Sequence, residues 1–362
     1  MTNKFFKFFS LSALLLSTTA FFSSCEDNED NEPENIIDPV SDEIKKVFIL
    51  SEGNWGANDA TLGIYYPNAE NNYQSDVYAL QNNEKLGDVG QDLISYGGRL
   101  YLSVFGSSYL AKLDSEGKVV EKYSFKTEEG QPRYLAAKDG FIYVSLYSGQ
   151  VAKFDTTSIS APKAFVEVGP HPEEICIKDN TLYAAIAGDY TVKYDNRIAV
   201  IELSNFSLKE HIEVAEDPTN VIAFGDNLYV IHYNTTTWAQ EILEVNPKTK
   251  EYSVFALGTK FVTDGIDFYY VNSTFVGDGV YQTEFYKKGS TEAFLDLTST
   301  PELKTAMIYL FNIDDSTGDF YIGTAGYKTF GEIYRFSRDG KFVEKFSTDS
   351  YYPNKALLFE FN

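Results

Sequence analysis

The residues able to do chemistry in this chain are scattered, and their types favour contact over catalysis. His171, His211 and His232 are the only histidines, and no metal-ligand spacing links them. No Gly-x-Ser-x-Gly elbow, phosphate-binding glycine loop or dinucleotide fingerprint occurs. The feature that would mark general acid–base work here is a histidine beside a carboxylate, and His171 with Glu173 or Glu174 is the one candidate pairing. His211, alternating within Lys209-Glu210-His211-Ile212-Glu213, reads as solvent-facing, and Asp314, Asp315 and Asp319 read as a plain turn lacking regular calcium-ligand positions. Cys176, in Glu174-Ile175-Cys176-Ile177, reads as a buried, inert thiol. What remains is aromatic. Trp55 and Trp238, the only tryptophans, both fall in Asn-containing stretches with no strand pattern, Ser51–Asn58 (with two glycines) and His232–Trp238. Flat side chains with polar groups between them are the chemistry of a binding mouth.

The elements that must position these side chains are repeats. Pro132…Tyr143, Pro172…Tyr183 and Pro218…Tyr229 each hold a proline eleven positions before a tyrosine, with a turn such as Asp139-Gly140 just ahead of the tyrosine strand. Weaker copies centre on Tyr101, Tyr269 and Tyr321, and Phe48 supplies the seventh. Steps of 40 to 53 residues with four short strands per unit predict an all-β, seven-bladed β-propeller; a blurred copy at Tyr269 leaves six or eight blades as rivals. After each tyrosine strand a polar hairpin follows, as in Leu113-Asp114-Ser115-Glu116-Gly117 or Val245-Asn246-Pro247. Phe48 has no proline-type strand ahead of it, whereas Tyr352-Pro353 through Phe361 at the far end supply one. The C-terminal strand is therefore expected to complete the first blade and remove exposed sheet edges.

In such a ring the loops after the tyrosine strands and before the prolines open on one face. That gathers Asn54, Trp55, Tyr147, Asp189, Tyr190, Tyr233, Trp238 and Tyr327 with Arg133 and His171, the candidate ligand-binding residues. Phe105, Tyr109, Tyr194 and Phe330 fall in equivalent loops. Any single tyrosine has the alternative role of wedging two blades.

The first 24 residues read as an address. Lys4 and Lys7 precede an apolar run too short to span a membrane, ending at Phe22-Ser23-Ser24-Cys25. This ending resembles the lipobox of bacterial lipoproteins, although Phe22 is unusual there, and it implies lipidation of Cys25; an ordinary cleaved signal is the alternative. Residues 25–43 carry nine acids and no Lys or Arg, a composition that predicts a disordered tether. Acid just after the anchor also resembles the surface-export signal of Bacteroidetes lipoproteins, against the alternative of a spacer facing the periplasm. The domain from residue 44 to 362 keeps a net charge of −16 out of the chain's −23 once the leader's lysines and the tether's acids are set aside. That charge repels phosphate backbones and argues against nucleic acid; it also disfavours lying on anionic lipid, leaving the acyl anchor as the membrane attachment.

Phe48-Ile49-Leu50-Ser51-Glu52-Gly53-Asn54-Trp55-Gly56, then Asn58-Asp59-Ala60-Thr61-Leu62 and Lys85-Leu86-Gly87-Asp88-Val89-Gly90-Gln91, resemble a family of Bacteroidetes surface lipoproteins with seven-bladed, YncE-like propellers. The likeness covers nearly everything after residue 44. Its BtuG-type members capture cobalamin and related corrinoids and pass them to a TonB-dependent outer-membrane transporter. The resemblance implies a lipid-anchored, outward-facing binding protein with no cofactor, no metal and no catalysis. It places Trp55 and Trp238 over the corrin, with Asn54, Asp189, Arg133 and His171 hydrogen-bonding its amides or phosphate. Two other readings stand beside it: a propeller lyase or hydrolase with its site in the channel mouth, and a structural partner that docks on an outer-membrane complex.

Overall fold

The repeated aromatic position proves to be the wedge between blades. In the computed structural model, which describes residues 45–359 apart from 68, 70, 71, 190 and 327, seven antiparallel sheets surround a common axis. The chain is a seven-bladed β-propeller. The leader, Cys25 and the tether, as well as Tyr190 and Tyr327, lie outside the described residues. Phe48, Tyr101, Tyr143, Tyr183, Tyr229, Tyr269 and Tyr321 each sit on the second strand of a blade and are buried. Each packs into an apolar seam shared with the next blade: Tyr143 among Ile175, Leu182 and Ala184, for example, and Tyr321 among Val47, Ile49 and Tyr65. Burying one such side chain contributes roughly 1.5–3 kcal/mol, so the repeat is a repeat of inter-blade adhesion. The turns feeding these strands are tight; Asp139 and Gly140 both take positive φ, as a two-residue hairpin with right-twisted strands requires.

The innermost strands, blades 1 to 7, are Pro353–Phe359, Gly90–Tyr96, Pro132–Lys138, Pro172–Lys178, Pro218–Phe224, Lys260–Thr263 and Met307–Ile313. The ring closes as the sequence predicts. Pro353–Phe359 pairs antiparallel with Lys46–Ser51, so one sheet holds both ends of the ring. The pairing register shifts just after the proline in blades 3, 4 and 5, and at the matching point of blade 2 between Gly90 and Asp92. Such bulges re-aim the side chains that follow, and here the residue two positions past the proline lines the axis.

Blade 6 explains the blurred repeat. Its sheet has three strands, Gly258 stands where blades 1, 3, 4 and 5 place proline, and a 3₁₀ turn at Pro301–Thr305 covers its outer side with Leu303 buried. A six-residue helix, Val77–Asn82, lies in the blade 1 connection, with Asp76 capping it by accepting from the Ala79 N–H at 3.2 Å. At that length it carries no readable helical period.

Candidate functional site

The rim loop of blade 1 is braced by several hydrogen bonds. Glu52 and Gly53 N–H donate to the carbonyls of Tyr352 and Tyr351. Asn54 binds both oxygens of Asp59, through its backbone N–H at 2.7 Å and its side-chain amide at 3.0 Å. Gly56 N–H reaches Asp88 at 2.9 Å. Gly53 has φ +76, and a Cβ there would meet Asp59 and Ala60 at 2.6 Å, so glycine is required. The product of this bracing is Trp55, 72% exposed on a loop that cannot fold it away. Trp238 is held out similarly, at φ +60 and 77% exposed. Asn234 caps its loop by accepting from the N–H groups of Thr236 and Thr237, and Tyr233 supports the indole at 6.3 Å between centroids. Exposed tryptophans on hydrogen-bonded loops are available to an interaction surface.

From Trp55 an aromatic arc runs across blades 1 to 4. Trp55 contacts Phe105 at 5.8 Å, Phe105 meets Tyr147 edge-on at 5.4 Å, and Tyr147 stacks flat on His171 at 3.9 Å and 3°. His171 sits at φ +49 with Nδ1 facing the Gly188 carbonyl at 2.9 Å. That acceptor assigns the proton to Nδ1 and leaves Nε2 as a free lone pair for a ligand donor in the neutral ring. Arg133 lies beneath the arc, 5.0 Å from the Phe105 ring centroid and 5.5 Å from that of Tyr147.

Arg133 itself is spent inside the protein. Its Nε and Nη2 donate to Glu173 and its Nη1 to Gln91, so it stiffens and polarises the arc from below. Asn54 is likewise a brace. Asp189 is half-buried and caps its own loop, accepting from Thr191 N–H at 2.8 Å and Thr191 Oγ1 at 2.6 Å, and these bonds lower its pKa. The structure thus brings together Trp55, Tyr147 and His171, with Tyr233 and Trp238 forming a second cluster on blade 5. Tyr109, by contrast, is buried and donates to the Leu86 carbonyl: it is a wedge.

The other histidines are structural. His211 does not face solvent as expected: it is half-buried, and its Nε2 bonds the Val168 carbonyl of the neighbouring blade at 2.8 Å. His232 is buried with Nδ1 on the Glu216 carbonyl and Nε2 on Glu241, both at 3.1 Å, a His–carboxylate pair separated by nine residues in sequence and joined by strand pairing. Asp314 caps a turn through Ser316 and Thr317, and Asp319 pairs with Arg335. Burial pushes the Cys176 thiol well above its ordinary range, which suits an inert group.

Two features lay beyond sequence reasoning. Blade 6 extends a long hairpin, Phe268–Gly277 and Val280–Lys287, with Phe275, Val276 and Val280 exposed near its tip. Below the rim lies a polar axial cavity of about 220 Å³, lined by Glu52, Asp92, Glu174, Lys260, Tyr309 and Lys355 among others. The readable signal was the second residue past the proline position, which is polar in Asp92, Tyr134, Glu174, Asn220, Lys260 and Lys355.

No protein-family model matches the chain, and no curated protein matches it. Solved structures with a similar fold include hydrazine synthase of Kuenenia stuttgartiensis, with TM-score 0.55 and 16% identity over 72% of this chain and 92% of that one. The computationally designed Ika8 protein aligns with TM-score 0.54 and 8% identity, over 86% and 96%. AztD of Citrobacter koseri aligns with TM-score 0.50 and 10% identity, over 85% and 83%. At these identities the likeness establishes the propeller and nothing narrower.

Proposed function

We propose that the chain is a ligand-capture propeller, the binding subunit of a lipid-anchored system on a bacterial outer membrane, and that its rim takes a large, flat, amide-bearing nutrient of the corrinoid class for delivery to a TonB-dependent transporter. One observation carries the reading: the contiguous Trp55–Phe105–Tyr147–His171 arc, fixed in place without ligand and backed by the Arg133 charge. A preformed apolar wall costs little ordering on binding. His171 Nε2 supplies an acceptor for a ligand amide, and Trp238 on Tyr233 offers a second wall.

Capture is favoured over catalysis by the surroundings of His171. Its neighbour Glu173 belongs to Arg133, and the other His–carboxylate pair, His232 with Glu241, is buried with both ring nitrogens engaged. The anchoring of Cys25, the outward orientation and the transporter partner rest on the sequence resemblances alone.

Both tryptophans stand on the rim, so intrinsic fluorescence reports that face directly. Titrating the purified protein with cyanocobalamin, followed by quenching and calorimetry, is expected to give saturable binding that Trp55→Ala and Trp238→Ala weaken. Neither heat nor quenching at high micromolar ligand would sink the corrinoid reading.

A further inference from the structure

The axial cavity holds charged groups that the fold leaves without an ion-pair contact. Several of its polar groups have structural partners in the next blade. Asp92 accepts from Leu135 N–H and from Lys355, each at 2.9 Å, while the Asn312 carbonyl oxygen accepts from Ala356 N–H at 2.9 Å. Glu52 accepts from the Tyr309 hydroxyl. Three groups are different. The Lys260 ammonium makes no hydrogen bond or ion-pair contact among the described residues; it lies over the Tyr309 ring at 5.4 Å and is attracted at longer range by Glu52 and Glu174. Glu174 accepts from Val221 N–H at 3.0 Å and from the Asn220 side chain, and it feels Lys355 only at longer range, with no cation in ion-pair contact. Asn354 donates its amide to the Gly90 and Gln91 carbonyls, at 2.9 and 3.0 Å, which fixes the orientation of the group; its carbonyl oxygen is then buried without a donor.

A half-buried ammonium, a half-buried carboxyl group and a buried, orphaned acceptor lining one cavity are best satisfied by an occupant that answers all three. An anion alone would satisfy Lys260 and repel Glu174; a cation alone would do the reverse. A molecule bearing both charges close together satisfies each without changing the net charge of the site. The volume suits a molecule of a few heavy atoms, not the large ligand proposed for the rim. We propose that the axial cavity is a second binding site, for a small zwitterion of the α-amino-acid class, its carboxylate on Lys260 and its ammonium shared by Glu174 and the Asn354 carbonyl oxygen. The site does not depend on the rim reading. Tyr134, Tyr309 and Asn220 complete the wall and set the side-chain size accepted.

The test is calorimetric titration of the purified protein with glycine, alanine, serine and glutamate at millimolar concentration, with acetate and methylamine as single-charge controls. At least one zwitterion is expected to bind, more tightly than either control. Lys260→Met should weaken that binding about tenfold or more while raising the stability of the empty protein, since a desolvated ammonium without an ion-pair contact is removed. Glu174→Gln, nearly isosteric and still able to accept from Val221, should weaken it comparably, and Trp238→Ala should leave it unchanged. No zwitterion binding, equal binding of acetate alone, or binding that survives both cavity substitutions would each overturn the proposal.

Discussion

Arg133 grips Glu173 through two guanidinium nitrogens across the seam between blades 3 and 4, and that pair underlies the whole aromatic arc. Glu173 is buried, so removing its partner leaves an uncompensated charge. Arg133→Met is expected to destabilise the protein by about 3–5 kcal/mol, the usual cost of breaking a buried pair. Arg133→Lys should recover only part of this, because one ammonium cannot reproduce the forked donation to Glu173 and Gln91. Urea unfolding measures both; a change below 1 kcal/mol in Arg133→Met would show the pair to be a surface-like contact.

Trp55 and Trp238 make the opposite prediction. Each is mostly exposed, so alanine should change stability by no more than about 0.5 kcal/mol. If they form the ligand wall, each should cost about 2 kcal/mol of binding, roughly thirtyfold in affinity. Parallel unfolding and titration separate the two quantities, and a Trp238→Ala protein that is destabilised but binds normally would reassign the residue to packing.

The ring was readable because its signal is a wedge that recurs at a fixed period: Tyr143, Tyr183 and Tyr229 do one job in three seams. Blade 6 blurred where the chain departs from that job, with glycine for proline and a 3₁₀ turn for a strand. Site residue types were legible, yet their commitments were not. Arg133 lies 40 residues from Glu173, and only the register of neighbouring blades reveals that its donors are taken. The axial cavity escaped for a similar reason. Asp92, Glu174, Lys260 and Lys355 contribute one charge per strand, far apart in sequence, and converge only when the ring closes.

Glu174 should leave a signature in the pH dependence of stability. Burial, only partly offset by Lys355, raises its carboxyl from the ordinary 4.5 to about 7. Between those values the folded chain holds a proton the unfolded chain has released, so this group's contribution is complete below about pH 4.5 and is lost as pH rises through about 7. Asp217, raised to about 6 chiefly by burial, acts with the same sign. Glu174→Gln removes only the first of these. Urea unfolding from pH 5 to 8 should show the variant gaining stability relative to wild type as pH rises; parallel curves would mean that Glu174 ionises normally.

Closure of the ring makes the strongest stability prediction. Deleting the chain from Pro353 onward removes the inner strand of blade 1 and bares the full edge of Lys46–Ser51. It also removes Lys355 from Asp92, the Asn354 clamp on Gly90 and Gln91, and the edge-on contact of Phe359 with Phe48 at 6.0 Å. Asp92 would then be a buried carboxylate without its cation, and blades 7 and 2 would each lose a neighbour. Together these losses compare with the whole of a domain's stability, about 5–15 kcal/mol. The truncated chain is therefore expected to aggregate or to unfold without a cooperative transition, because the exposed edge is a template for pairing with other copies. Size-exclusion chromatography and a urea titration decide it. A monomer with a wild-type midpoint would mean that six blades and a remnant hold the ring without the seventh seam.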